Sequence, residues 1–379
     1  MSGKRRWLGV LGVLALGGGI LGAYGVARWS EPASGGRIRR YRVILGGKWG
    51  AIDGKGKIVV EPRYDFITGR FEEGIAPVRM SGRWGYIDAR GRVVVEPRYL
   101  RTFSFSEGLG IVVARDERGV PRAGFMDRSG RWAIEPRFVH VRPFSEGLAA
   151  VCPADLYGYV DRSGRMVIVP GWVEAGDFHE GMAAVRLGAK VTFIDRTKLD
   201  LDAGKPYAFV AGWERAPEDF RREYLAKKGE REIPIDYPMG RLFDGAGYFS
   251  AGLANVRVGE KWGYVDRSGA FVIEPEFDEA YPFSEGLANV RVGGEWRYVD
   301  GSGRTRIALE VERAWRFHDG RALVRVSGKM GYIDKGGRLV VPPRFDKAYD
   351  FCGGLARVLV DGRVGYIGPQ GEYVWAPAR

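Results

Sequence analysis

The chain has 379 residues, 58 of them glycine, with 45% hydrophobic and 13% aromatic side chains and a formal net charge of +12. That much apolar mass can bury a core, which excludes a disordered chain, and the glycine content points to many tight turns. The excess Lys and Arg are scattered singly among acidic residues instead of forming a stripe, so nucleic acid is not expected as a partner and an anionic envelope surface suits the charge better.

Lys4, Arg5 and Arg6 precede an uncharged stretch from Trp7 to Ala27. Positive charge followed by about 20 apolar or small residues reads as a hydrophobic helix, and residues 1–29 are expected to be a signal-anchor or a signal peptide. Its length favours an uncleaved anchor, while its glycines and the small-x-small triplet Gly25-Val26-Ala27 keep a cleaved signal as the alternative. The compact basic cluster before the helix favours export of the body, even though Arg28, Arg37, Arg39, Arg40 and Arg42 follow it. Residues 30–40 read as a flexible linker.

From residue 41 to 377 one pattern recurs. A phenylalanine stands at Phe71, Phe105, Phe144, Phe178, Phe249, Phe283, Phe317 and Phe351, in steps of 34, 39, 34, 71, 34, 34 and 34. A glycine three residues on keeps the same steps, as does an aromatic-apolar-Asp triplet such as Tyr86-Ile87-Asp88 or Tyr264-Val265-Asp266. Each unit predicts three short strands: an alternating Val-Arg-Val segment, a Trp-Gly-Tyr-Ile-Asp segment, and a Val-Val-Ile-Glu-Pro segment ended by a proline that cannot donate to a ladder. Asp-Arg-Ser-Gly at 161–164 and 266–269, and Asp-Gly-Lys-Gly at 53–56, suit a type I turn closed by a glycine in the left-handed region.

The two irregular steps fall at hairpin tips, near Asp116–Arg122 and after Asp195, where a β core tolerates extra residues. The larger insertion, 197–239 within the fifth unit, predicts a short helix over 216–229, with Pro217 near its start and Gly229 at its end. Phe220 and Tyr224 share one face of that helix and more naturally pack the insert onto its host. The other reading makes them, with Trp213, a partner-binding patch.

These units resemble the WG, or KWG, repeat of bacterial proteins. The residues that carry the resemblance are Lys48-Trp49-Gly50, Arg83-Trp84-Gly85-Tyr86-Ile87-Asp88 and Lys261-Trp262-Gly263-Tyr264-Val265-Asp266, with Glu-Pro-Arg-Tyr at 61–64 and 96–99 and Phe-Ser-Glu-Gly-Leu at 105–109, 144–148 and 283–287. The Trp-Gly pair itself stands in three units, and others read Tyr157-Gly158, Val191-Thr192 or Trp296-Arg297. The resemblance implies a β-rich repeat fold and no established catalytic role.

Nine such units predict an all-β chain of tandem three-stranded antiparallel meanders. With the chain starting and ending in the same phase, an open solenoid or superhelical array is the expectation and a closed propeller-like ring the alternative. No catalytic, cofactor-binding or metal residue is expected. The aspartates and glutamates recur unit by unit and so answer a structural demand, and His179 and His318 stand where other units carry Ser. Cys152 and Cys352 lie in different units and in no metal-ligand spacing. The Trp, Tyr and Phe positions are expected to pack between units, the other reading being an exposed aromatic ladder. The function these readings support is a non-catalytic, envelope-associated scaffold for protein partners, held to the membrane through its N-terminal segment. The alternative is a binder of cell-wall or surface polysaccharide.

Overall fold

The computed structural model describes residues 40–68, 70–196 and 242–377, with two further short strands, Tyr207–Ala208 and Arg231–Glu232. The expected N-terminal helix, the linker up to residue 39, and the helix expected over 216–229 lie outside the described residues. Among the described residues no helix is long and apolar enough to cross a membrane.

Nine small sheets follow one another along the chain. The second is typical: Phe66–Ile67, Ile75–Met80, Arg83–Asp88 and Val93–Tyr99 pair antiparallel in that order. Three strands per unit are expected from the sequence, and the typical sheet has four. The extra strand leads up to or contains the anchor phenylalanine and pairs over two residues in several sheets, as Glu279–Ala280 does with Arg291 and Val290. Two paired residues are too few to display a period-2 pattern, which is why it is invisible in the sequence. A 34-residue unit read from Leu253 therefore holds three strands of one sheet and the first strand of the next.

The Trp-Gly pair has a steric cause. A Cβ at Gly50, Gly85, Gly124, Gly158, Gly263 or Gly331 would lie 2.3–2.6 Å from a carbonyl oxygen of the neighbouring fourth strand. That strand bulges at its Glu-Pro segment, and the ladder skips the glycine: Trp84 pairs with Tyr99 and Tyr86 with Val95. The seventh sheet, where Trp296 precedes Arg297, has a fourth strand Thr305–Leu309 without proline. There Arg297 pairs in register with Ala308. The glycine and the proline bulge occur together because each needs the other.

Nine hydrophobic clusters hold the sheets together, and each draws on two consecutive sheets. One joins Ala51, Val60 and Tyr64 of the first sheet to Ile67, Phe71 and Val78 of the second. The anchor phenylalanines are buried in these junctions. Seven of them meet an aromatic ring of the preceding sheet at 4.7–5.0 Å, from Tyr86–Phe105 to Tyr332–Phe351.

The ninth cluster decides the global shape. It packs Val43 and Ile52 of the first sheet against Leu355 and Tyr366 of the last. The chain is a closed ring of nine blades, the alternative and not the open array. An open array would leave the apolar faces of its first and last units in water, and closure buries both. Among the described residues no strand is exchanged at the seam. Instead the Tyr366 hydroxyl donates to the Arg42 carbonyl at 2.7 Å, and the Tyr41 hydroxyl donates to the Gly353 carbonyl at 3.0 Å.

The insertion after Asp195 returns to the preceding blade. Tyr207–Ala208 pairs parallel to Met166–Trp172, the outer strand of the fourth blade, through Ile168 and Tyr207. That strand is buried at all seven positions, whereas the outer strands of most other blades alternate. Tyr207–Ala208 thus covers part of that sheet edge.

Candidate functional site at the ring axis

Contacts that skip a blade show which strand faces the axis. Arg316 of the eighth blade donates a hydrogen bond to the Tyr248 hydroxyl of the sixth. Blades two places apart can meet only near the centre of a ring. Both residues immediately precede an anchor phenylalanine, so the first strand of each blade is the innermost.

Around the axis, in six blades the turn after the inner strand is locked to the next blade by an acid. Glu180 accepts from the amides of Ala251 and Gly252, both at 2.8 Å, and Glu107 from those of Glu146 and Gly147 at 2.6 and 2.9 Å. Glu73, Glu146, Glu285 and Asp319 each reach the glycine amide of the following blade in the same way. These acids hold φ near +50°, a left-handed conformation costing roughly 1–2 kcal/mol in a non-glycine residue. Charge-assisted bonds of about 1.5–3 kcal/mol each more than offset that cost. The serine after the anchor phenylalanine adds a second link: Ser106, Ser250 and Ser284 donate to the carbonyl of the next anchor phenylalanine at 2.6–2.8 Å. The Phe-Ser-Glu-Gly motif is therefore an inter-blade clasp.

The residues just before the anchors behave differently, because they do not repeat. Arg70, Ser104, Asp177, Tyr248, Arg316 and Asp350 hold that place in six blades, and prolines hold it in two. Asp177 pairs with Arg142 of the fourth blade at 2.9 Å, and Asp177 raises the Arg142 pKa further. His179 stacks on Tyr248 with ring centroids 4.4 Å apart, and Arg316 closes on the same tyrosine. His318 lies 3.5 Å from Asp350 of the ninth blade. Burial lowers the His318 pKa, with Asp350 and Glu285 opposing and Arg316 and Arg70 reinforcing the shift. Burial likewise lowers the Arg70 pKa, against Cys352, Glu72, Asp350 and Asp319. Arg70 of the second blade thus shares a field with groups of the eighth and ninth. The axis carries closely spaced charges of both signs and polar rings.

On the face that holds the clasps, an open basin of about 980 Å³ lies beside the axis. Its lining includes Glu73 and Glu107 together with Arg90, Arg128 and Arg162. Arg128 binds Glu73 at 2.6 Å.

His179 and His318, expected as structural substitutes for serine, do bridge to the next blade, but by ring stacking and by a carboxylate contact. The tryptophans among the described residues are buried or half-buried, while Tyr349 and Tyr373 are exposed. Trp213, Phe220 and Tyr224 lie outside the described residues. The axial residues were missed by sequence reasoning, although one signal could have found them: they break the pattern where flanking positions keep it.

The family described as WG containing repeat matches residues 49–84, 84–116, 124–152, 157–190, 242–262, 262–296, 296–329 and 330–363. The chain belongs to the WG-repeat family. No curated protein matches it. Among solved structures, it is similar to a eukaryotic initiation factor at 8% identity, covering 89% of this chain and 95% of that one with a TM-score of 0.59. KlHsv2 with its loop 6CD replaced by a Gly-Ser linker matches at 8% identity and a TM-score of 0.36, covering 70% and 86% of the two chains. An uncharacterized protein of Listeria monocytogenes EGD-e matches at 8% identity and a TM-score of 0.36, covering 73% and 93%. At these identities the first likeness speaks for the fold alone.

Proposed function

We propose that this WG-repeat ring is a non-catalytic binding module that captures a protein partner on its axial face, as a scaffold of the cell envelope. The observation that carries the reading is the loss of repetition at the axis. Positions that serve the fold recur, and positions freed from it hold Arg70, Asp177, Tyr248, Arg316 and Asp350. Alternating charge with polar aromatic rings is the chemistry of a protein-recognition surface. The recurrent acids are already engaged in turns and clasps, as Asp266 and Glu180 are, which leaves them ill-suited to acid–base work. The envelope setting rests on the basic and apolar N-terminal residues 4–27.

The test is a pulldown from detergent-solubilised envelope proteins with the full chain and with Arg316→Ala and Asp350→Ala variants, alongside sedimentation with purified cell wall. A discrete protein retained by the parent chain and lost by both variants is the expected result. Sedimentation with cell wall that soluble glycan competes away, with no protein retained, would overturn the reading in favour of polysaccharide binding.

A further inference from the structure

The basin on the clasp face spans the second, third and fourth blades, and its charged residues stand in or beside the turns of those blades. We propose that it receives the Asp or Glu side chains of an acidic peptide segment, held by Arg90 and Arg162. The proposal rests on the reading of the axial face as a protein-binding surface, and it names the chemistry of the segment that surface takes.

The carboxylates of the basin are already engaged. Asp88 accepts from the amides of Arg90 and Arg92, both at 2.9 Å, and from the Arg92 side chain at 2.7 Å. Glu73 accepts from the Gly108 amide at 2.9 Å and from Arg128 at 2.6 Å. Glu107 accepts from the amides of Glu146 and Gly147 at 2.6 and 2.9 Å. Of the arginines that line the basin, Arg92 and Arg128 are thus bound to its acids. Arg90 and Arg162 are exposed, and among the described residues neither guanidinium has a hydrogen bond or an ion pair. Arg162 reaches over the clasp glycine of the third blade, where a Cβ on Gly108 would lie 3.3 Å from its Nη2.

The charge is local to these blades. A turn can carry one cation just after its Asp and a second on the strand that follows. The second to fourth blades fill both places, with Arg90 and Arg92, Arg128 and Arg131, and Arg162 and Arg165. The sixth blade has Arg267 with Ala270, and the ninth has Gln370 with Glu372. The clasp face is therefore cationic around the basin and not uniformly so around the ring. Ala89 adds space, since it follows Asp88 where the third, fourth and sixth blades carry Arg128, Arg162 and Arg267. Together with Phe71 it gives the lining an apolar part.

An acidic peptide suits this arrangement. A guanidinium binds a carboxylate through two parallel hydrogen bonds, a geometry that an ammonium lacks. Asp and Glu carry the carboxylate on a flexible stem, which can enter beside the fixed acids and lay its methylenes against Phe71 and Ala89. An acidic polysaccharide carries its carboxylates on bulky rings, which cannot enter in that way.

The experiment titrates the full chain in detergent into fluorescein-labelled octaglutamate and reads anisotropy. Physiological ionic strength is used, where charges beyond about 8 Å are largely screened. Octaglutamine and an oligogalacturonate, labelled alike, are the comparison ligands. Octaglutamate should bind, octaglutamine should not, and the oligogalacturonate should bind less tightly. The Arg90→Glu, Arg162→Glu variant should lose affinity about tenfold or more. Its melting temperature should not change, since neither side chain bonds to the described fold. Arg304→Glu with Arg306→Glu makes the same change in net charge in the seventh blade and should bind nearly as the parent chain does. No binding of octaglutamate by the folded parent, equal affinity of the two double variants, or preference for the oligogalacturonate would overturn the proposal. An envelope protein retained equally by the parent and by the Arg90→Glu, Arg162→Glu chain would overturn it too, while leaving the protein-binding reading intact.

Discussion

The hydroxyl of Tyr366 in the ninth blade donates to the carbonyl of Arg42 in the first, at 2.7 Å and across 324 positions of sequence. The bond is not peculiar to the seam. Tyr86 donates to the equivalent carbonyl, Ile111, at 3.0 Å, and Tyr264, Tyr298 and Tyr332 donate to carbonyls in or just after the inner strand of the next blade at 2.6–2.7 Å. The ring closes by a bond that also joins the second blade to the third.

Replacing Tyr366 by Phe should therefore weaken the ring without opening it. A buried carbonyl that loses its donor costs about 1–3 kcal/mol. Phe125 and Phe193 already stand without a hydroxyl in the third and fifth blades, so the loss is tolerable. Urea denaturation should give a lower midpoint with an unchanged slope. A reduced slope would instead report a ring that is already open.

Gly263→Ala should be far more damaging than its size suggests. Its Cβ would sit 2.5 Å from the Ile273 carbonyl oxygen and 2.8 Å from the Pro275 nitrogen, both backbone atoms. The outer strand must shift, at a cost of roughly 1–3 kcal/mol or more. Arg297→Ala in the seventh blade, where no proline bulge presses on the position, should change stability by less than about 0.5 kcal/mol. Thermal melts of the two variants make the comparison.

Stability should fall with acid in two stages. Burial lowers the pKa of His140, and of His318 despite Asp350. A depressed folded-state pKa means stability that is full above the unfolded value, about 6.5 for histidine, and lost as pH falls below it. The turn aspartates act lower. Backbone amides of Lys57 and Lys55 hold Asp53 below its ordinary value, the Ser268 and Ser302 hydroxyls do so for Asp266 and Asp300, and Arg338 does so for Asp334. Their contribution is present above the usual aspartate pKa of about 3.9 and disappears below it. Melting temperatures measured from pH 8 to pH 3 should step down through both windows, and His140→Gln should shrink only the first.

The cysteines should separate on labelling. Cys152 is buried, and burial with nearby Asp155 pushes its pKa up to about 12. Its thiol should resist alkylation at pH 8 until the ring unfolds. Cys152 is in no disulfide, so no reductant is needed to reveal it. Mass spectrometry of native protein should find Cys152 unmodified.

Much of the blade was legible because its causes are local. Alternation marked the second strand of each blade, as in Leu253–Val258, and Asp-x-x-Gly marked the turn in which Asp266 accepts from the amides of Ser268 and Ala270. The inner strand was not legible, since Glu279–Ala280 offers two residues and no pattern. The candidate site was hidden for a related reason. Arg316 and Tyr248 are 68 positions apart and belong to blades that are not neighbours.

The sequence by itself determined the period, the all-β character and the family. Each depends on contacts within a unit or with the next one, and a repeat writes such contacts again in every copy. Ring closure, the inward direction of the first strand, and the meeting of Arg70, Arg316, His318 and Asp350 were decided only by tertiary structure. Closure depends on a small rotation between blades summed nine times, and no single unit encodes that sum. Val43 and Leu355 become one core only when the accumulated rotation brings the last blade back to the first.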